Sequence, residues 1–437
     1  MYDVILGRKE SDRQKFGTRG SVLIGKQYVK MGQTTSLSNN IYLDVSNSHK
    51  IFIVGKTGTG KSYSLSAIAE GVMDLEPEIA QNISMIMLDT MGVFWTMKYP
   101  NKKDEELLKK WNIKPKGMDV QIFTPIGMYK QYKEEGVPTD FPFAIQPNEL
   151  DPDDWNLTFD VDRNSELGVL IERVINQLRE KEENYSIQDI IDVIELDKDA
   201  DKNVRDAAKN RFMNVSRWGV FDEKGTKLSD LIIGGKITVL DLSAYATMPG
   251  GWAIKSLVTG LVAKKLFTER MRSRRQEEFH DIKESMDYFK EEVSKERKEP
   301  LVWLVLDESH EFMPNKGKTT SLEPLITILR EGRQPGISLI MASQQPGKIH
   351  TDVMTQSDIV ISLRLTAKID TDALQQLAQS YLREGLEVSI NQLPKVPGAA
   401  VALDDANERI YSIQIRPKIT WHGGQAPSAI VEEKEEI

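Results

Sequence analysis

The stretch Ile51-Phe-Ile-Val-Gly-Lys-Thr-Gly-Thr-Gly-Lys-Ser62, continued by YSLSAIAEGVMD to residue 74, decides the fold. Its first four residues are an unbroken apolar run, the pattern of a strand buried on both faces of a parallel sheet. Its last thirteen carry no proline and few β-branched residues, and they predict a helix. Between the two lie Gly55, Lys56, Thr57, Gly58, Thr59, Gly60, Lys61 and Ser62. A Gly-x-x-x-x-Gly-Lys-Ser loop between a strand and a helix is built to cradle phosphate. Its glycines let successive backbone N–H groups curl inward, and the helix N-terminus adds partial positive charge. Lys61 is the candidate to neutralise β- and γ-phosphate oxygens of ATP, and Ser62 the candidate hydroxyl ligand of Mg²⁺.

Five further short runs repeat the strand pattern: 83–88 (ISMIML), 237–240 (ITVL), 301–306 (LVWLVL), 337–342 (ISLIMA) and 358–363 (DIVISL). Helical stretches at 62–74, 165–183 and 252–275 alternate with them, which predicts an α/β fold whose mainly parallel sheet is flanked by helices. Three runs end in aspartate, at Asp89, Asp241 and Asp307. Strand C-termini face the ligand crevice in such sheets, so the aspartate alone does not discriminate. Glu308 does, because a second carboxylate beside the magnesium-orienting Asp307 suits polarisation of an attacking water. Asp89 and Asp241 then read as structural. Downstream, Gln344 at the tip of the ISLIMAS strand is a candidate γ-phosphate sensor. Arg333, in the loop before that strand, is a candidate finger for a neighbouring subunit's site.

Segments outside the alternation set the expected organisation. Residues 1–45 read as a short N-terminal β region, a reduced barrel, 46–94 and 237–413 as the nucleotide-binding core, and 95–236 as a helical insertion too long to be a connection. Within the core, 276–300 is a highly charged arm; 414–425 forms a C-terminal strap and 426–437 an acidic tail with too little apolar content to fold.

Composition excludes several classes. The chain has 437 residues, enough for two or three domains. It has no cysteine, which removes disulfides and thiolate chemistry, and its five histidines do not stand at metal-ligand spacing. No apolar run approaches the roughly 18–20 residues that cross a bilayer, and the N-terminus lacks the order of a signal peptide, so a cytoplasmic protein is expected. A net charge of −9 gives no global field for nucleic acid, so any such contact must be local. One local candidate is 264–275 (KKLFTERMRSRR), with six basic residues and one acid; a solvated helix end is the simpler reading. Lys348, His350 and Lys368 are others. Asp160–Glu166 briefly resembles a calcium loop, but Ser165 replaces the required glycine and Ile171 the bidentate glutamate. It reads instead as a helix start, followed by an apolar stripe at Leu167, Leu170, Ile171, Val174 and Leu178.

Four blocks in order, HKIFIVGKTGTGKS (49–62), LVWLVLDESHEFMP (301–314), LREGRQPGISLIMASQQP (329–346) and IRPKITWHGG (415–424), resemble the HerA/FtsK superfamily of DNA-pumping ATPases, in its archaeal HerA-like branch. The resemblance implies a RecA-like core, a homohexameric ring, ATP hydrolysis at subunit interfaces and translocation of double-stranded DNA through a pore, in the processing or repair of DNA ends. It also implies a NurA-type nuclease as partner. Two departures stand out: the N-terminal region is shorter than the family's β barrel, and Val93 stands where an Asp-x-x-Gly-Glu pattern has glutamate. An ATP-dependent switch or scaffold, and a secretion or packaging motor for another cargo, are the rival readings.

Overall fold

The computed structural model describes residues 3–31, 34–181, 184–286, 299–365 and 392–424, with 370, 372–374, 386 and 388–390. Lys368, the acidic tail 426–437 and the second half of the charged arm lie outside the described residues.

Among the described residues thirteen strands form one sheet. In chain order they are β1 (Val4–Leu6), β2 (Ser21–Met31), β3 (Thr34–Asp44), β4 (Lys50–Val54), β5 (Ile83–Asp89), β6 (Val120–Pro125), β7 (Phe141–Phe143), β8 (Ile237–Asp241), β9 (Leu301–Leu306), β10 (Ile337–Ser343), β11 (Ile359–Leu363), β12 (Ala399–Asp404) and β13 (Arg409–Ile415). Their spatial order is β1-β3-β2-β13-β12-β11-β4-β10-β9-β5-β8-β6-β7. From β11 to β7 every pairing is parallel. The six apolar runs of the sequence are β4, β5, β8, β9, β10 and β11, and their side chains alternate between two cores. Phe52, Val54, Leu304, Leu306, Leu339 and Met341 face one, while Ile51, Ile53, Trp303, Val305, Ile340 and Ala342 face the other. Burial on both faces is the reason these strands carry no polar alternation.

Two expectations need correction. Residues 95–236 are not purely helical, because β6 and β7 extend the central sheet beyond β8. Four of the segment's helices, Pro152–Thr158, Glu166–Lys181, Ile187–Leu196 and Lys202–Val215, form a bundle around fully buried Trp155 and Phe212 at 5.0 Å between ring centroids. Nor do the N-terminal strands stand apart as a reduced barrel. β2 pairs with β13 and β3 with β2, so they continue the sheet edge.

The strap is held by a buried network. The Glu70 carboxylate, on the helix Lys61–Met73, accepts from Arg416 Nη1 at 3.1 Å and from the Ile419 and Thr420 amides at 3.0 and 3.1 Å, and also from the Thr420 hydroxyl. Tyr63 adds a hydroxyl that accepts the Lys418 N–H at 2.6 Å. The strap is therefore fastened to the same helix that begins with Lys61 and Ser62.

Candidate nucleotide-binding site

β4 feeds directly into the phosphate loop, and β10 and β11 flank it on either side. Gly55 passes so close to β11 that a Cβ there would lie 2.7 Å from the Leu363 Cβ. Gly60, at φ 107°, takes the left-handed turn that starts the helix. Of the loop amides, Gly55, Lys56 and Thr59 donate to the carbonyls of Ser343, Arg364 and Lys56. The amides of Gly58, Gly60, Lys61 and Ser62 take no acceptor among the described residues, which leaves a row of donors at a helix N-terminus for an anion. These features fit a nucleotide's phosphates.

The end of β9 supplies the acids. The Ser62 hydroxyl donates to Asp307 Oδ2, so the two oxygen ligands expected for Mg²⁺ converge on one point, as a hard divalent cation requires. Burial pushes the Asp307 carboxyl up, opposed by the Ser62 hydroxyl, the Glu308 amide and the Lys61 charge. Glu308 has a left-handed backbone at φ 50°, a conformation uncommon outside glycine. Its Oε2 is buried with no hydrogen-bond partner. Burial, then the Asp307 charge, raises its pKa to about 7. The His310 Nδ1 lies 3.5 Å from that Oε2 and 3.2 Å from the Ser343 hydroxyl. Burial, reinforced by Lys348 and Lys61, lowers the His310 pKa to about 4, so the ring is neutral. The structure thus places one buried carboxylate oxygen, with no hydrogen-bond partner among the described residues, beside Asp307 and Lys61, where a general base would orient a water.

Gln344 comes to the site: its side-chain oxygen accepts the Thr57 hydroxyl of the phosphate loop. Arg333 does not. It is exposed and precedes β10, which runs parallel to β4 and starts at the same edge. Five strand residues at about 3.3 Å each separate that edge from the loop, so Arg333 lies on the order of 16 Å or more from its own phosphate site. Asp89 and Asp241 cap turns. Asp89 accepts the amides of Met91, Gly92 and Phe94 at 3.2, 2.7 and 2.8 Å, and Asp241 that of Ser243 at 2.9 Å.

The basic segment 264–275 is neither a free patch nor merely solvated. Lys264 pairs with Asp151 and Asp154, Lys265 with Glu149, and Arg274 with Glu277 and Glu278. Arg270 is buried, donating to the Pro335 carbonyl at 3.0 Å. His310 went unnoticed in the sequence. The spacing of His310 two residues after Glu308, at the end of the same strand, was the available signal.

The family described as "Helicase HerA, central domain" matches residues 29–263, more than half of the chain. The chain belongs to this HerA family. A probable DNA double-strand break repair helicase HerA of Methanocaldococcus jannaschii is 28% identical over 183 residues, 39% of this chain and 35% of that one. A DNA double-strand break repair helicase HerA of Pyrococcus furiosus is 26% identical over 178 residues, 37% and 32% respectively. The matched stretch thus spans about a third of the length of these curated HerA relatives. In fold, the chain is similar to VirB4 of Thermoanaerobacter pseudethanolicus, with a TM-score of 0.55 at 12% identity over 91% of this chain and 96% of that one. It is similar also to the bacterial conjugative coupling protein TrwB, with a TM-score of 0.53 at 13% identity over 93% and 96%. The HerA-family chain is therefore an α/β protein of the RecA-like P-loop ATPase class. Among its described residues no helix is long and apolar enough to cross a membrane.

Proposed function

We propose that this chain is an ATP-driven translocase of double-stranded DNA, working as a homohexameric ring in the cytoplasm in the processing or repair of DNA ends. The observation that carries the proposal is the Ser62–Asp307 contact with the unpartnered Glu308 oxygen beside it, set in a chain of the HerA family. Lys61 and the free loop amides hold the phosphates of ATP. Ser62 and Asp307 would hold Mg²⁺, which when bound offsets phosphate charge. Glu308 orients the attacking water and accepts its proton; Gln344, resting on Thr57, is placed to register whether the γ-phosphate is present. Arg333, too far from its own loop, acts on a neighbour. A NurA-type nuclease is a candidate partner. The fold likeness to VirB4 supports one rival, a motor for a different cargo.

The test is steady-state ATP hydrolysis with and without linear duplex DNA of increasing length, alongside particle mass in the presence of nucleotide. A translocase shows turnover that rises with duplex length and a ring mass. Turnover indifferent to DNA at every length would leave the ATPase and remove the DNA motor.

A further inference from the structure

The sites that contact cargo are not given by the family match, and the basic residues that looked most apt, 264–275, are largely consumed by ion pairs. A different set of cations is exposed. After Glu308 the chain continues through Phe312 to an exposed turn, Asn315-Lys316-Gly317-Lys318. Gly317 sits at φ 87° with open space around the position a Cβ would take, so the turn is a protruding tip. After Gln344 the chain forms a second turn, Pro346–Lys348, ending in exposed Lys348.

These two turns are zipped together. Pro314 and Ile349 form an antiparallel bridge. The Asn315 amide donates to the Lys348 carbonyl at 2.9 Å, the Asn315 side chain to the Gly347 carbonyl at 2.9 Å, and the His350 amide to the Met313 carbonyl at 2.8 Å. One root of the double turn is therefore the hydrolytic carboxylate and the other is the γ-phosphate sensor. The Ser309 hydroxyl, donating to the Ala342 carbonyl at 2.9 Å, ties the two roots as well. Among the described residues Lys316 and Lys318 have no acidic partner. Lys348 faces His310 and the half-buried Asp370, whose carboxylate also takes the Gly347 amide.

We propose that this zipped double turn is the cargo-contacting element, and that Lys316, Lys318 and Lys348 track the phosphate backbone of duplex DNA. The assignment rests on the translocase reading above. Phosphate neutralisation supplies most of the affinity of a non-specific DNA contact, and a ring multiplies three lysines per subunit in a protein whose net charge is −9. Because both turns are continuous with Glu308 and Gln344, loss of the γ-phosphate shifts one rigid unit, which conveys hydrolysis to the DNA.

The experiment measures duplex DNA binding by fluorescence anisotropy across a salt series, and ATPase rate with and without DNA, for the full chain. The variants are Lys316→Ala/Lys318→Ala, the charge-preserving Lys316→Arg/Lys318→Arg, and a comparison variant, Arg272→Ala/Arg275→Ala, on the other basic segment. The alanine pair should keep the DNA-free ATPase rate within about twofold. It should bind duplex at least tenfold more weakly near ~100 mM salt, with a log–log salt slope shallower by about one or more. The arginine pair and the comparison variant should bind as wild type. If wild type binds duplex and the alanine pair binds it equally, with the same slope, the loop assignment is wrong while the translocase reading stands. If wild type binds no duplex DNA at any salt tested, the translocase reading fails and takes the assignment with it.

Discussion

Glu308 carries three constraints in one side chain: a left-handed backbone, a buried oxygen without a partner, and a neighbour, Asp307, of like charge. Each costs stability, and such costs concentrate where function demands them. Lys61 is the compensating charge for both acids. Lys61→Ala should therefore weaken ATP binding at least tenfold, read by fluorescent-nucleotide titration; unchanged affinity would remove Lys61 from the phosphate site. His49 is a second residue whose charge matters, far from the chemistry. Its Nδ1 lies 2.6 Å from Asp358 and its Nε2 3.3 Å from Asp44, which itself pairs with Arg8. Burial disfavours the imidazolium, but the two carboxylates overcome this and raise its pKa to about 9. A pKa raised on folding contributes stability that is fully present below the unfolded value of about 6.5 and is lost as pH climbs through about 9. The expected loss is on the order of 3 kcal/mol between those limits. Thermal melts should fall between pH 7 and 10, and His49→Gln should flatten that part of the profile. A slope unchanged in His49→Gln would assign the pH dependence elsewhere.

At the level of elements, the strap and the phosphate-loop helix behave as one unit through Glu70 and Arg416, both buried. Arg416 also donates to the carbonyls of Leu23, Ala67 and Pro417. Removing it leaves the Glu70 charge short of its partner, a change that costs roughly 3–5 kcal/mol for buried pairs. Arg416→Ala should show that loss in urea denaturation, and a loss below ~1 kcal/mol would mean water replaces the guanidinium without penalty. The strap was expected from the sequence but its pairing with the helix was not, because Glu70 and Arg416 are 346 positions apart. The phosphate loop was legible for the opposite reason: its conformation is written in three closely spaced glycines, Gly55, Gly58 and Gly60. The six buried strands announced themselves through Ile and Val runs. β6 and β7 did not, since VQIFTP mixes polar residues among apolar ones and FPF is only three residues long. In β12, AAVALD has the composition of a helix, and its pairing with β11 and β13 makes it a strand. Asp307 and Glu308 were readable as a strand end, whereas the zip between Met313–Asn315 and Gly347–His350 joins segments that no local pattern connects.

At the scale of the whole molecule, Arg333 lies at the edge of the sheet opposite its own phosphate loop. In the proposed ring it is assigned to a neighbouring subunit's site. Arg333→Ala should bind ATP and hardly turn it over, since fingers of this kind contribute about 10³–10⁵ in rate. Mixed with Glu308→Gln subunits, it should recover partial activity, because some interfaces then pair an intact Glu308 with an intact Arg333. No recovery at any mixing ratio, with subunit exchange confirmed, would exclude a finger in trans.

Glu308 is proposed as the hydrolytic carboxylate of a site assembled by Lys61, Ser62 and Asp307. The most direct measurement is single-turnover hydrolysis of saturating ATP by Glu308→Gln, with nucleotide affinity measured on the same sample. The mechanism predicts affinity within about threefold of wild type and a hydrolysis rate reduced by about 10²-fold or more. Hydrolysis at the wild-type rate, with nucleotide bound normally, would contradict it.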